Sequence, residues 1–247
     1  MDQGIRTVWY DLDDADKDGY LAWLHDIYLP KVMARPGILW AAHYEVTGGG
    51  AHMDKIGDVL PRMDRVANSD IGTGTDYLLL IGAGSPHVFF KPDFDRLEED
   101  DAEILEKIDL RQGARICVFA EEARVNGPDF DHRIHDTTPG PAIQMGSFRT
   151  KTVADEFDLA AWYANYRMPA MARMPGCIAT RKLVSVAGWA KHSVMYEFLS
   201  LEARAEHFQG HESLALDDSV WTSKIIKYTV HAPGSPSVGR RIWPKAD

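Results

Sequence analysis

The sequence predicts an α+β protein built from two copies of one strand–helix–strand–strand–helix–strand (βαββαβ) unit. Three observations predict it: an internal repeat without gaps, a Pro-Gly pair after the first helix of each copy, and apolar alternation typical of strands on both sides of those helices. The segment 23–37 aligns with 162–176 at an offset of 139 residues. Four residues recur in one register: Trp23, Pro30, Pro36 and Gly37 match Trp162, Pro169, Pro175 and Gly176.

The first copy begins with a predicted strand over 5–12. Acidic residues over 13–16 follow, and they suit the positive end of a helix dipole. Apolar residues then recur at helical spacing over 20–27, and Pro30 should kink this helix because proline lacks an amide hydrogen. The Pro-Gly pair ends the helix. The elements predicted after it are strand 38–46, strand 77–81, helix 93–108 and strand 114–125.

The second copy repeats this order with shorter connections. Its predicted elements are strand 143–150, a helix with an acidic start at 155–158, strands 177–186 and 191–199, helix 201–216 and strand 223–230. The βαββαβ order is that of a ferredoxin-like unit. We therefore predict two tandem ferredoxin-like repeats packed as an intrachain α/β barrel.

The halves differ most at the junction between their second and third strands. In the first half this junction is the long insertion 47–76, whereas the second half crosses it within 187–190. A connection of that length in a compact domain is typically a functional lid or a disordered segment. Apolar residues in the insertion fit a short amphipathic helix and favour the lid: Ile56, Val59, Leu60, Met63 and Val66.

The remaining segments complete the predicted domain organisation. The tail is irregular but ends in the apolar pair Ile242-Trp243, which predicts an arm packed on the body or on a second copy of the chain. A homodimer is therefore left open. The predicted units are a first half 1–126 with the lid 47–76, a linker 127–141, a second half 142–232 and a C-terminal arm 233–247.

Two stretches of this sequence resemble the dimeric α/β-barrel superfamily. They are 20–46, with helix, Pro-Gly and strand, and the run Tyr-Glu-Phe-Leu-Ser-Leu-Glu-Ala over 196–203. Within this superfamily, the sequence pattern is most similar to those of the EthD-like and antibiotic-monooxygenase-like families. The resemblance implies two sheets facing each other with helices outside. It also implies a range of activities, from cofactor-free monooxygenases, isomerases and lyases to haem enzymes such as chlorite dismutases. No catalytic signature of these families matches, so no functional residue is carried over.

Composition excludes several classes of function. The net charge of -10 and the pI near 5.4 argue against nucleic-acid binding, because a phosphate backbone requires a basic surface. Two cysteines are too few for a disulfide scaffold or a cysteine zinc site. His207 and His211 have metal-site spacing, but Gly210 between them predicts that the helix ends there. We predict no metal site, no membrane segment, no signal peptide and a cytoplasmic location.

Three residues are the candidates for catalysis. His43 lies in the middle of a predicted strand, and imidazole titrates near neutral pH, so it is the leading candidate for a general base. Tyr10 could stabilise an anionic oxygen, and the 139-residue offset pairs it with Arg149. His87 could close over a ligand from its loop. Each residue also has a structural reading, as a buried hydrogen-bonded group or a surface side chain.

Candidates for substrate binding come from both halves. The offset pairs His43 with Lys182, and the face that points inward cannot be decided from the sequence. His192 would be a candidate axial ligand if the protein belonged to a haem branch. The predicted binding residues are Trp40, Tyr44, His52, Arg149, Arg181 and Tyr196.

The predicted function is that of a cofactor-independent enzyme. It would act on a small aromatic or polyketide-like compound by His/Tyr proton transfer of the lyase or isomerase type, in the first half beneath the lid. The richness in aromatic residues favours an apolar or aromatic substrate. Two alternatives stay open: a haem- or oxygen-dependent oxidoreductase or monooxygenase of the same fold, and a non-catalytic carrier of a small ligand.

Overall fold

A computed structural model describes residues 1–48, 64–65, 71–90, 101–133, 136–212 and 220–245. It is an α+β structure. Its strands are β1 Gly4–Asp11, β2 Ile38–Gly48, β3 Asp64–Arg65, β4 Tyr77–Ala83, β5 Gln112–Asn126, β6 Ala142–Thr150, β7 Cys177–Ala187, β8 His192–Phe198, β9 Thr229–His231 and β10 Ser237–Trp243.

Eight of these strands close into an antiparallel barrel. Their order is β10-β2-β4-β1-β5-β7-β8-β6, and β6 pairs with β10 to complete the circle. Within the first half the order is β2-β4-β1-β5, and within the second half it is β7-β8-β6-β10, so the strand order repeats. The fourth strand of each half pairs with the second strand of the other half.

Helices cover the outside of the barrel. In the first half they are α1 Asp14–Trp23, α2 Leu29–Met33 and α3 Ala102–Ile108. In the second half they are α4 Val153–Trp162, α5 Met168–Met171, α6 Leu201–Ala203, α7 Gln209–Glu212 and α8 Trp221–Tyr228. Among the residues that the model describes, no helix is both long and apolar enough to cross a membrane.

A π turn precedes the proline of each repeated helix. The turns are Leu24–Tyr28 before Pro30 and Tyr163–Arg167 before Pro169. Proline cannot donate a backbone hydrogen bond, and its ring crowds the carbonyl one turn earlier. One wider turn accommodates both constraints, so the predicted kink takes the form of a π turn in both copies.

The Pro-Gly pairs end the helices as the sequence predicts. Gly37 and Gly176 have φ values of +86° and +77°, a region that residues with a Cβ rarely adopt. Each glycine therefore allows the chain to reverse from the helix directly into the second strand of its half.

Large apolar side chains and a buried charge cluster fill the barrel interior. Trp9, Trp40 and Phe119 pack against residues from both halves. Gly82 lies so close to the Trp40 indole that an added Cβ would be 2.0 Å from it. At these positions side chains therefore fill the barrel interior. Each half has a second apolar layer between the outer face of its sheet and its helices.

The C-terminal segment differs from its predicted form. Residues 237–243 form β10, a strand of the barrel, rather than an irregular arm. The segment 223–230, predicted as a strand, instead contributes most of α8. Trp221 and Tyr228, two helical turns apart, both donate hydrogen bonds to Asp158 of α4, and Ile225 faces the apolar layer. The apolar residues of this segment fit both the two-residue periodicity of a strand and the 3.6-residue periodicity of a helix. Contact with α4 stabilises the helix.

Several predicted features lie outside the described residues. They include most of the insertion 47–76, its amphipathic helix, His52 and the start of the helix over 93–108. Within the insertion, the described β3 runs parallel to β9 of the second half.

Candidate functional site

Two of the predicted catalytic residues are in direct contact. The Tyr10 hydroxyl lies 2.7 Å from Nε2 of His43, and Nδ1 of His43 lies 2.8 Å from Nε2 of His25. Tyr10 comes from β1 and His43 from β2, and both side chains are fully buried. His25, which the sequence did not single out, lies on the π turn of the first helix and is only partly buried. We call this arrangement the His25–His43–Tyr10 chain.

Burial keeps both inner groups of this chain neutral at neutral pH. It lowers the pKa of His43 well below its usual range, and nearby His25 and Arg111 act in the same direction. Burial also raises the pKa of Tyr10 well above its usual range. The Tyr10 phenol therefore donates to Nε2 of His43, which places the His43 proton on Nδ1, pointing at His25. A proton could pass along the chain from a buried phenol to a partly buried imidazole.

The His25–His43–Tyr10 chain lies on the helix side of the first half, where aromatic rings pack tightly around it. The rings of Tyr20 and Tyr77 lie 5.7 and 5.5 Å from that of Tyr10, and the Arg111 guanidinium lies 5.2 Å from it. His43 therefore points away from the barrel interior.

The other predicted site residues are dispersed. The exposed His87 lies beside the start of β1, at the opposite end of that strand from Tyr10. Trp40 and Tyr44 point into the barrel, where they donate to Asp2 and to the Gly140 carbonyl. Three further residues lie elsewhere: Arg181 belongs to the interior charge cluster, Arg149 is exposed and donates to the Trp189 carbonyl, and Tyr196 faces the helices of the second half.

The pairing of Tyr10 with Arg149 is wrong by one residue. Tyr10 pairs with Tyr77 across β1 and β4, whereas Phe148 pairs with His192 across β6 and β8. Tyr10 and Phe148 both face their helices, so Phe148 takes the place of Tyr10. The connection from the first strand to the repeated Trp is one residue longer in the second half. An alignment without gaps does not include this extra residue and therefore shifts the paired positions by one.

The pairing of His43 with Lys182 agrees with the structure. Both residues lie on the helix side of their strands. Lys182 contacts Nδ1 of His192 at 3.2 Å and Oε2 of Glu122 at 3.0 Å. Burial and the Lys182 charge lower the pKa of His192 to about 4, so this imidazole is neutral at neutral pH.

A cavity of about 80 Å³ lies in the second half, between the outer face of the sheet and the helices. We call it the helix-side cavity. Aromatic and aliphatic side chains form most of its wall: Phe148, Trp162, Tyr163, Val194, Tyr196 and Ile225. Its polar lining consists of Gln144, Arg167, Thr222, Thr229 and His231. This cavity lies in the second half, whereas the site predicted from the sequence lies in the first half.

Hydrogen bonds define the tautomer of His231 in this cavity. The Thr229 hydroxyl donates its only hydrogen to the Ile225 carbonyl at 3.0 Å, so it accepts from Nε2 of His231 at 3.1 Å. Nδ1 of His231 then carries the lone pair and faces the Ser235 hydroxyl at 3.4 Å. His231 is thus an imidazole that hydrogen bonds hold in the wall of a largely apolar cavity. Sequence patterns missed it because it lies in a three-residue strand after a helix.

No protein-family model matches this sequence, and no curated protein does. Solved structures do match its fold. An anthrone oxidase-like protein is 14% identical, with a TM-score of 0.57 over 98% of this chain and 92% of its own. A proposed monooxygenase from Fusobacterium nucleatum is 9% identical, with a TM-score of 0.57 over 98% and 93%. A dye-decolorizing peroxidase from Bacteroides thetaiotaomicron is 9% identical, with a TM-score of 0.51 over 98% and 93%.

These likenesses show the fold alone. The haem-dependent alternative that the sequence leaves open requires a haem site, and the helix-side cavity is the place to look for one. Haem iron requires an axial ligand such as histidine. His231, the histidine in the lining of this cavity, holds contacts at both ring nitrogens, so the lining offers no open axial ligand. The residues therefore do not fit haem. Within the described ranges, no cluster of His, Cys, Asp or Glu could hold a metal ion.

Proposed function

We propose that the protein is an oxidoreductase that oxidises a small aromatic or polyketide-like compound with molecular oxygen, without haem. The observation that carries this proposal is the helix-side cavity, whose lining combines aromatic walls with the hydrogen-bonded imidazole of His231. The similarity of the fold to that of an anthrone oxidase-like protein and of a proposed monooxygenase supports the oxidoreductase alternative over the lyase or isomerase reading.

The chemistry follows from the properties of such substrates. A phenol or an enolisable aromatic ketone becomes electron-rich when it loses a proton, and its anion can then reduce oxygen directly. The protein has to remove that proton, hold the ring and exclude water. His231 would accept the proton at Nδ1 after the Ser235 hydroxyl turns away, while Thr229 holds the other ring nitrogen in place. The substrate supplies the electrons, and oxygen accepts them.

Oxygen consumption tests the proposal. Wild-type protein should consume oxygen with anthrone or a related hydroxylated aromatic compound, and His231→Gln should lower kcat by roughly 100-fold or more, the usual contribution of a general base. His207→Gln is the matched control, because His207 lies at the helix surface and belongs neither to the helix-side cavity nor to the His25–His43–Tyr10 chain. The rate of this variant should equal that of the wild type. Equal kcat values for His231→Gln and the wild type would contradict the proposal.

A second candidate function is proton-transfer catalysis of the lyase or isomerase type by the His25–His43–Tyr10 chain. The contacts of 2.7 and 2.8 Å favour it. The same assay separates the two candidates. Loss of turnover in Tyr10→Phe and His43→Gln, with full activity in His231→Gln, would assign the reaction to the first half.

Haemin titration provides an independent check. Because the cavity lining offers no open axial ligand, we expect free haemin and haemin with protein to give the same Soret spectrum. A shifted Soret band that saturates at one haemin per chain would contradict a haem-free oxidation. His192→Ala should then be examined first, since Nε2 of His192 is buried without a partner among the described residues.

The two halves also support an inference about origin. The repeated strand order and the paired π turns are what a duplicated ferredoxin-like unit would leave. On this inference, the second copy has a cavity beneath its helices, and aromatic side chains pack the corresponding layer of the first copy.

A further inference from the structure

Arg167 is a buried cation with no acidic partner in the described chain. It ends the π turn Tyr163–Arg167 and lines the helix-side cavity with only 3% of its surface exposed. Its Nε and Nη1 atoms are buried without a hydrogen bond. Around it lie aromatic faces, with the guanidinium 4.7 Å from the Trp162 ring and 5.3 Å from the Phe208 ring. Such contacts replace only part of the hydration that a buried charge loses.

Three other buried arginines have a side-chain partner. Arg181 pairs with Asp2 at 2.8 Å, Arg133 pairs with Glu197 at 3.1 Å, and Arg204 donates to Gln144 at 2.8 Å. Single nitrogens of other buried arginines, such as Nε of Arg115, also lack an acceptor. Arg167 differs from these three because it has no such partner among the described residues and lines a cavity.

Two more donors of the same cavity lack acceptors. The indole nitrogen of Trp162 and the hydroxyl of Thr222 are buried without partners among the described residues, and both line the cavity. A guanidinium, an indole N–H and a hydroxyl are all hydrogen-bond donors. A ligand that complements them has several acceptor oxygens and no hydrogen-bond donor of its own. A carboxylate meets this requirement, and arginine can bind it through two parallel hydrogen bonds.

The first half shows that this arginine is not needed to build the layer. In the internal repeat Arg167 matches Tyr28, which occupies the same place on the other π turn. There the layer is packed by Tyr28, Trp23 and Tyr20. At this position of the repeat, the second half has an arginine that lines the cavity, whereas the first half has a tyrosine.

We propose that the helix-side cavity binds an organic carboxylate through Arg167, and that the compound oxidised is therefore an aromatic acid. The second clause rests on the function proposed above, whereas the binding site does not. At about 80 Å³ the space is smaller than the roughly 150 Å³ cavity that accepts benzene. A carboxylate with a short apolar stem fits the cavity without any change in the structure. A complete aromatic ring fits only if α8, which forms one wall of the cavity, moves outward.

Binding of benzoate to the full chain tests the site. Benzoate should bind wild-type protein, measured by calorimetry or by quenching of tryptophan fluorescence, and benzyl alcohol, its neutral analogue, should bind at least 10-fold more weakly. Arg167→Met should lose roughly 10- to 100-fold in benzoate affinity, as expected for charge-assisted hydrogen bonds. Arg173→Met is the matched control, because Arg173 is exposed in the turn that follows α5, and this variant should keep wild-type affinity.

Folding of the variant provides a second readout. A structural arginine would destabilise the protein when replaced, whereas removal of an unpaired buried charge should leave the thermal midpoint of Arg167→Met unchanged or raise it. Benzoate should raise the midpoint of the wild type and leave that of Arg167→Met where it is. Absence of benzoate binding to the wild type, equal binding of benzoate and benzyl alcohol, or unchanged affinity in Arg167→Met would overturn the proposal.

The outcomes also separate this site from the proposed reaction. Arg167-dependent binding of benzoate without oxygen uptake on any aromatic acid would keep the site and reject the oxidation. Oxygen uptake with neutral anthrone that benzoate does not inhibit would keep the oxidation and reject the carboxylate site.

Discussion

A chain shortened to residue 233 should not give a folded, soluble monomer. The truncation removes β10, which hydrogen-bonds to β2 on one side and to β6 on the other and so closes the barrel. It also removes Ser237, the acceptor for the buried Trp9 indole at 3.2 Å. Each lost hydrogen bond is worth roughly 1 kcal/mol, and together they approach the whole stability of a typical domain, about 5–15 kcal/mol. The two opened strands would also expose edges that promote aggregation.

Size-exclusion chromatography and urea unfolding measure this effect. The control is a chain that ends at Pro244, which keeps all of β10 together with the Pro244 carbonyl that accepts from Arg241. This control should remain monodisperse and unfold at the urea concentration of the full chain. A soluble protein shortened to residue 233, with a cooperative transition near that of the wild type, would show that β10 does not hold the barrel closed.

Asp2→Ala should have the second-largest effect, a loss of about 3–5 kcal/mol in the free energy of unfolding. The Asp2 carboxylate is completely buried and receives hydrogen bonds from Arg181, Arg124 and Trp40 at 2.7–2.8 Å. Its removal leaves buried guanidinium groups without their anion. Asp18→Ala, on the exposed face of α1, is the control and should change the free energy by no more than about 0.5 kcal/mol. Chemical denaturation of both variants measures the difference.

The pH dependence of stability provides a separate test of the same cluster. Burial alone would raise the pKa of Asp2, but the Arg181 charge and the hydrogen bonds from Arg124 and Trp40 outweigh it and hold this pKa well below its usual range. The unfolded chain then takes up a proton near pH 4 that the folded chain refuses, so this contribution to stability is present above pH 4 and is lost as the pH falls below it. Between pH 5 and 2.5 the wild type should therefore lose more stability than Asp2→Asn. Parallel curves would contradict this role of Asp2.

Most of the strands could be predicted from the sequence because their apolar alternation and the Pro-Gly turns are local signals. The same signals did not distinguish α8 from a strand, since Trp221, Ile225 and Tyr228 fit a helix only when Asp158 of α4 is there to receive them. β10 was missed for a related reason. Its sequence is short and carries two arginines, and it becomes a strand because β2 and β6 each offer an unpaired edge.

The candidate site was less predictable than the fold. Alternation along β1 and β2 assigns residues to two faces of each strand, but it cannot tell the barrel interior from the helix side, so the contact of Tyr10 with His43 was not predicted. Arg167 carried a usable signal: it stands where the first copy has Tyr28, beside the repeated prolines. Its lack of an acidic partner among the described residues, however, can be seen only in the folded structure. His231 gave no signal, because its tautomer depends on Thr229 and Ser235 as the fold brings them together.

Closure of the barrel limits how copies of this chain can associate. Proteins with half as many strands per chain can complete such a circle only by borrowing strands from a second subunit, whereas here every one of the eight barrel strands already has both neighbours. A second copy has no barrel edge to extend. Any homodimer must therefore be built on helices, on the surface groups of loops or on the insertion that follows β2. Mutations designed to split such a dimer should leave the circle of strands intact.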